Sequence, residues 1–251
     1  MFAHIISGAE SAASIYYYTI SANDSGVDLW ADIIAANGGT PAQSTIQVTI
    51  NAGVEIGAVD NSSPTNYALD VSDDFDTNGK TLVIINNGYI GGFGGDGGEY
   101  DVSLASATAG QNGGVGINFD SPATLINNGT IAAGGGGGGG NTGSSTEPGG
   151  PNFYADGGGG AGLPAGSAGG GYLVDPNNFG ASDGTKTNGG LASLAILGDE
   201  DPGGDGGNRG QAGVSPPTGK AGGAAGYSYQ LGSGITVDYS GSGSLIGSVL
   251  S

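Results

Sequence analysis

The chain has 251 residues, 58 of them glycine and none cysteine, and 23 acidic against four basic residues give it a formal net charge of −19. That balance excludes a nucleic-acid binder, which needs a basic patch for the phosphates, and it excludes an anionic lipid surface as partner. The missing thiols exclude a disulfide framework and a thiolate metal site, and no stretch approaches the apolar length of a membrane span, so no membrane insertion is expected.

With 36% hydrophobic and 11% charged residues, the sequence is too apolar and too sparsely charged for simple disorder. Its length allows one large domain or two small ones. Residues 1–11 lack the basic and apolar regions of a secretory signal. Ile15-Tyr16-Tyr17-Tyr18-Thr19-Ile20 reads as a strand. Next, Asp24-Ser25 precedes residues 27–36, which carry Leu29, Trp30, Ile33 and Ile34 on one face, and Gly38 follows. This predicts an N-capped helix with a glycine stop, the one short helix expected. Residues 1–40 are set apart on these grounds as an attachment or capping module.

From residue 45 a strand–corner–strand unit recurs. Residues 47–57 alternate apolar and polar, break at Asn51-Ala52-Gly53 and resume. Residues 82–91 repeat the unit around Asn86-Asn87-Gly88, residues 124–132 around Asn127-Asn128-Gly129, and residues 235–247 in looser form. Asn-Gly supports a tight turn with positive φ, which a hairpin would use. A spacing of roughly 35 to 40 residues points instead to stacked rungs of a solenoid, since a lone hairpin is barely stable.

The glycines keep a period of three. Gly91, Gly94 and Gly97 form one series, and Gly92, Gly95 and Gly98 a second. Gly110, Gly113 and Gly116 follow, residues 134–140 are all glycine, and the spacing returns at Gly157, Gly160, Gly166 and Gly169 and from Gly204 to Gly222. A flexible linker has no reason to keep phase. A polyproline-II-type helix does, because it turns once per three residues. Having no internal hydrogen bonds, such helices must pack side by side, with glycine wherever backbones touch.

Ile85-Asn86-Asn87-Gly88 followed by the phased glycines 91–98, and Ile126-Asn127-Asn128-Gly129 followed by residues 134–140, resemble the glycine-rich tail-fibre adhesins of T-even-like phages and related phage tail or fibre proteins. The resemblance covers residues 45–250. It implies a sandwich of polyglycine-II helices with receptor-binding loops between them. The expected fold is mainly β: stacked, solenoid-like β-rungs with packed polyglycine-II helices and one short N-terminal helix. Residues 41–133 plus 231–251 form the rung scaffold and 134–230 the glycine-rich loop region. The expected function is a non-enzymatic receptor-binding adhesin on the virion surface, made in the host cytoplasm, where disulfides are unavailable to it. Its partners are a bacterial surface receptor, either outer-membrane protein or glycan, and other virion fibre proteins, the chain being a homotrimer or mounted on a trimeric fibre. A structural head spike or decoration protein and a polysaccharide depolymerase are the alternatives.

The glycine-poorer segments at 99–108, 141–156, 172–201 and 215–218 hold Tyr100, Phe153, Tyr154, Tyr172 and Phe179. Rigid aromatics on such loops give contact area at low entropic cost, and the resemblance makes them receptor-contact residues. The same rings could instead cover the ends of the glycine sheet. No cofactor is expected. Calcium is the metal candidate at Asp74, Asp76 and Asn78, which match the start of a D-x-D-x-N-G loop, although Ile85 stands where the closing Glu belongs. A turn ahead of a strand is the better reading. Catalysis has little to stand on. His4 is the one histidine, and the G-x-S-x-G match at 180–184 sits in a polar loop.

Overall fold

The computed structural model describes residues 15–99, 107–141, 156–170, 181–193, 202–217 and 219–251. Their fold is mainly β, with three parallel five-stranded sheets and two helices. The chain visits the sheets in rotation, so each layer gives one strand to each sheet. The first layer is β1 (Ile15–Ile20), β2 (Asp24–Ser25) and β3 (Val27–Asp28), closed by α1 (Leu29–Asn37). The second is β4 (Thr45–Ile50), β5 (Glu55–Gly57) and β6 (Leu69–Val71), closed by α2 (Asp74–Thr77). The third is β7 (Thr81–Asn86), β8 (Tyr89–Gly91) and β9 (Ile117–Phe119). The fourth is β10 (Ala123–Asn127), β11 (Thr130–Ala132) and β12 (Tyr227–Leu231), and the fifth is β13 (Val237–Ser240), β14 (Ser244–Ile246) and β15 (Ser248–Leu250).

Parallel register puts like side chains in columns. Tyr18, Val48, Ile84, Leu125 and Tyr239 form one column across the first sheet. Ile56, Ile90, Ile131 and Leu245 form another in the second sheet, and Val27, Leu69, Ile117 and Tyr229 one in the third. Ile84, Leu125, Ile56, Ile90, Leu69 and Ile117 are wholly buried between the sheets. Alternation along β4, β7 and β10 sends every second residue inward, which is why their sequences read as strands. No strand pairs with its chain neighbour, so the Asn-Gly steps are corners between sheets and not hairpin turns.

These corners work differently from what the sequence predicts. Gly88 and Gly129 do not take positive φ. They are glycine because a Cβ would strike the Val54 carbonyl at Gly88 and the Gly88 carbonyl at Gly129. Asn86 and Asn127 point inward and are fully buried. Asn86 Nδ2 donates to Asn127 Oδ1 (2.9 Å), Asn127 Nδ2 to the Tyr239 hydroxyl (3.2 Å), and the Gly88 N–H to Asn86 Oδ1 (3.0 Å). A buried amide needs such partners, and the ladder satisfies each layer from the next.

The helical expectation is corrected twice: α2 is a second, four-residue helix where a turn was expected, and the cap of α1 differs. The N-cap is Asp28, whose side chain accepts from Ala31 N–H, because Asp24-Ser25 is taken by pairing with β5. Gly38 ends α1 as expected. Trp30 meets Phe75 of α2 edge-on at 4.9 Å, so the two helices stack at one corner. Residues 15–37 thus form the first layer of the same stack. Lys80 fixes that corner by donating to the carbonyls of Pro41 and Gln43.

The corner between the second and third sheets sets up the rest of the molecule. In the end layers it is one glycine, Gly26 (φ 61°) and Gly247 (φ 102°), where only glycine turns so tightly without strain. In the second layer it widens to residues 58–68, in the third to 92–116 and in the fourth to 133–226. The last two insertions carry the phased glycines.

Candidate functional site

Residues 92–99, 107–116, 133–141 and the later glycine-rich tracts carry neither helix nor strand, yet they form one hydrogen-bonded block. Residues 134–140 lie at its centre. Gly134, Gly137 and Gly140 donate to the carbonyls of Gly114, Gln111 and Thr108, Gly135 and Gly138 to Ala161 and Gly158, and Gly136 and Gly139 to Gln211 and Val214, at 2.7–3.2 Å. Their own carbonyls accept from three further tracts, through Gly95 and Gly98, Gly204 and Gly207, and Lys220, Gly223 and Gly226, at 2.8–2.9 Å. The central tract therefore has six backbone neighbours, and the set it meets changes with every residue and repeats every third.

This arrangement explains the composition. A Cβ at Gly134, Gly137 or Gly140 would fall on the carbonyls of Phe93, Asp96 and Glu99. One at Gly135 or Gly138 would fall on Gly207 and Gly204, and one at Gly136 or Gly139 on Gly223 and Lys220. All three phases are closed, so all seven residues are glycine. In residues 92–98 two phases are closed, by Gly157 and Gly160 on one side and Thr108, Gln111 and Gly114 on the other. The third phase carries Phe93 and Asp96. Tracts run both ways, because Gly95 and Gly98 climb with Gly135 and Gly138 while residues 108–114 descend beside 134–140. Glycines on both sides of residue 134 share the network.

At its root the block is pinned to the sheets. Ala58 N–H donates to the Leu163 carbonyl (2.9 Å), and Lys186 bridges to Glu55 at 2.5 Å. Lys186 and Arg209 stand 5.3 and 5.6 Å from the Tyr89 ring centroid, a pair of cation–π contacts that holds two turns of the block on β8.

The opposite end of the block is closed by pairs between its tracts. Glu99 and Thr108 are paired there through Thr108 N–H to Glu99 O (3.0 Å) and Glu99 N–H to Thr108 Oγ1 (2.8 Å). Ser193 N–H donates to the Asp156 carbonyl (3.2 Å), Gly169 to Gly157, and Lys220 to Gly140 (both 2.9 Å). These paired residues flank the glycine-poorer segments of the sequence. Tyr100, Phe153, Tyr154, Tyr172 and Phe179 belong to these segments and lie outside the described residues.

The calcium candidates have structural partners. Asp74 and Asp76 sit on α2, Asp74 Oδ2 accepts from Ser72 Oγ (2.9 Å), and Asn78 Nδ2 donates to the Asp74 carbonyl (2.8 Å). Among the described residues no group of three or more His, Cys, Asp or Glu side chains is placed to hold a metal ion. Ser182, of the G-x-S-x-G match, is bound into the block, its N–H donating to Leu191 O (2.9 Å) and its Oγ accepting from Leu191 N–H (2.8 Å).

The family model described as phage tail fibre adhesin Gp38 matches residues 16–250. No curated protein matches the chain. Among solved structures, the crystal structure of the gp37-gp38 adhesin tip complex of the bacteriophage S16 long tail fiber has a chain 21% identical to this one, with a TM-score of 0.55 over 92% of this chain and 82% of that one. The likeness to that chain is one of fold.

Proposed function

The chain belongs to the phage tail fibre adhesin Gp38 family, and from that premise we propose that its receptor-contact surface is the end of the glycine block remote from the sheets. As a family member it is a receptor-binding adhesin of the virion tail fibre. One observation carries the finer reading: residues flanking the glycine-poorer segments, Glu99 with Thr108, Asp156 with Ser193 and Gly140 with Lys220, pair with one another at that one end. The three-sheet stack is a β-solenoid, and the block is a bundle of polyglycine-II helices. The three-residue repeat of facing partners and the six neighbours of residues 134–140 support the second assignment. A rigid block anchored at its root holds segments of free sequence at its end, which is how loops on a fixed scaffold carry recognition.

Tyr100, Phe153, Tyr154, Tyr172 and Phe179 are the proposed contacts, and the role is binding without catalysis or a cofactor. The stack is the mount. Three sheets present a three-edged end, which suits seating one chain on a trimeric fibre, and the related S16 protein is seen in complex with gp37. Synthesis in the host cytoplasm fits the absence of cysteine.

The test is competition. Purified protein should block adsorption of the parent phage to its host, and a variant with all five aromatics changed to Ser should lose at least tenfold in blocking while its melting temperature stays put. Equal blocking by that variant would remove the loops from the contact surface. Failure of the unmodified protein to block would remove receptor binding itself.

A further inference from the structure

The corner between the third and first sheets changes along the stack. The second layer spends residues 72–80 on it, including α2, whereas the third uses only 120–122 and the fourth 232–236. Next to α2, where the corner shortens, lies a cavity of about 290 Å³. The glycine block grows from a different corner, so this cavity is apart from it. Asp76 and Lys80 reach the cavity from α2 and the turn that follows, Thr81 and Thr124 from β7 and β10, and Thr236 and Asp238 from the last layer. Pro122 and Ala123 give it an apolar side.

The wall of the cavity is fixed, but its side chains are uncommitted. Thr81 N–H donates to the Ser44 carbonyl (2.9 Å) and Ala123 N–H to the Thr236 carbonyl (3.4 Å). Lys80 Nζ donates to Pro41 O (2.7 Å) and Gln43 O (3.0 Å), which leaves one of its protons to offer. Among the described residues, the hydroxyls of Thr81, Thr124 and Thr236 and the carboxylates of Asp76 and Asp238 make no hydrogen bond within the protein. An occupant must therefore replace what water gives them. An apolar side chain would strip the carboxylates and return nothing. An anion would meet two carboxylates against one lysine. A basic side chain would answer the carboxylates and leave the three hydroxyls unmatched. A sugar ring matches the whole set: its hydroxyls donate to the carboxylates, accept from Lys80 and do either with the threonines, and its C–H face lies on Pro122 and Ala123.

We propose that this cavity is a saccharide site on the flank of the β-stack, taking one neutral hexose unit of a polysaccharide. Its volume lies near the lower limit of small-molecule pockets and suits a single ring. Thr124 and Asp238 are register partners on neighbouring strands, so they stand about 5 Å apart and can serve adjacent hydroxyls of that ring. Their outward column continues through Val83 and Gln47 to Tyr17, which is 65% exposed. From the cavity to Tyr17 that column carries no further charge, and neighbouring units of the polysaccharide can lie along it. One such site holds weakly, and several copies facing the same surface convert it into avidity. The inference is independent of the proposed contact end, because the two lie on different corners of the stack.

The experiment is saturation-transfer NMR on the full chain with the methyl glycosides of glucose, galactose and mannose as probes, and arginine amide as a competitor. Thr124→Val/Asp238→Ala removes two of the free groups, Asp76→Ala removes a third from the exposed side of α2, Thr124→Ser keeps the hydroxyl, and Thr49→Val removes a hydroxyl from the same sheet away from the cavity. At least one hexoside should bind, with affinity lowered about tenfold by the double variant and by Asp76→Ala at unchanged melting temperature, and kept by Thr124→Ser and Thr49→Val. Should the double variant melt lower, Asp76→Ala alone decides. No signal from any of the three hexosides would overturn the proposal, as would parental binding by Asp76→Ala. An equal loss in Thr49→Val would move binding off the cavity and overturn it too. Displacement of the hexoside by arginine amide would assign the carboxylates to a basic side chain and overturn the saccharide reading.

Discussion

In β7, Leu82 and Ile84 turn into the core and are covered by the residues above and below them. A few tens of residues on, Gly134 to Gly140 are as thoroughly buried with no side chain at all. The stack excludes water with apolar columns and lets its ladders follow. The block excludes water by bringing six backbones to one, and its hydrogen bonds are the packing. Both meet the requirement that buried N–H and C=O groups be paired. They differ in what they leave free. The stack fixes almost every inward residue, whereas the block fixes glycine in its closed phases and leaves the open phase and the end segments to vary. An adhesin that must change its partner without rebuilding its support gains from the second arrangement.

Substitutions should separate the two modes. Gly138→Ala, which drives a Cβ into the Gly204 carbonyl, should cost about 4 kcal/mol or more and abolish blocking of phage adsorption; chemical denaturation of the purified variant checks it. Ile84→Ala in the fully buried column should cost about 3 kcal/mol by loss of packing and leave a cavity, with blocking retained below the melting point. Gly38→Ala is the contrast case. Nothing stands within 4 Å of a Cβ there, so only the left-handed φ of 71° counts, and about 1 kcal/mol should be lost in the same assay.

The smallest effect is a pH dependence of the stack. Burial pushes the Asp70 carboxyl above its ordinary range, the hydrogen bond from Asn118 pulls it partly back, and the charges of Asp120 and Asp28 raise it again. Because the folded value is the higher one, Asp70 favours the fold below the unfolded carboxylate range, and that contribution is lost as pH rises through the folded value. Asp70→Asn should be at least as stable as the parent at pH 7, and the advantage should shrink as pH falls toward about 4. Melting curves at the two pH values decide this, and an advantage that grows on acidification would reverse the assignment.

How far the sequence could be read follows from the same contrast. The long strands of the first sheet announce themselves by alternation, so β4, β7 and β10 were visible together with their corners. The third strands of the layers were not: apart from the five-residue β12, two or three residues such as Val27–Asp28 or Leu69–Val71 show no period. The Asn-Gly corners were placed correctly for the wrong reason, since the inward role of Asn86 and Asn127 depends on neighbours 41 residues apart. Glycine phase was legible because a threefold repeat is a property of one tract. Which tract faces which was not, and neither was the grip of Lys186 and Arg209 on Tyr89, which joins distant parts of the chain. The five aromatics expected at the contact end rest on the resemblance and the position of their segments.

The most direct test of the account is amide hydrogen exchange of residues 134–140 in the purified protein. With every N–H bonded to a neighbouring tract, exchange should be slowed to the level of Val83 to Ile85 in β7, although no apolar side chain covers these residues. Exchange at the rate of an open glycine linker would contradict the backbone block and remove the rigid support on which the proposed contact end depends.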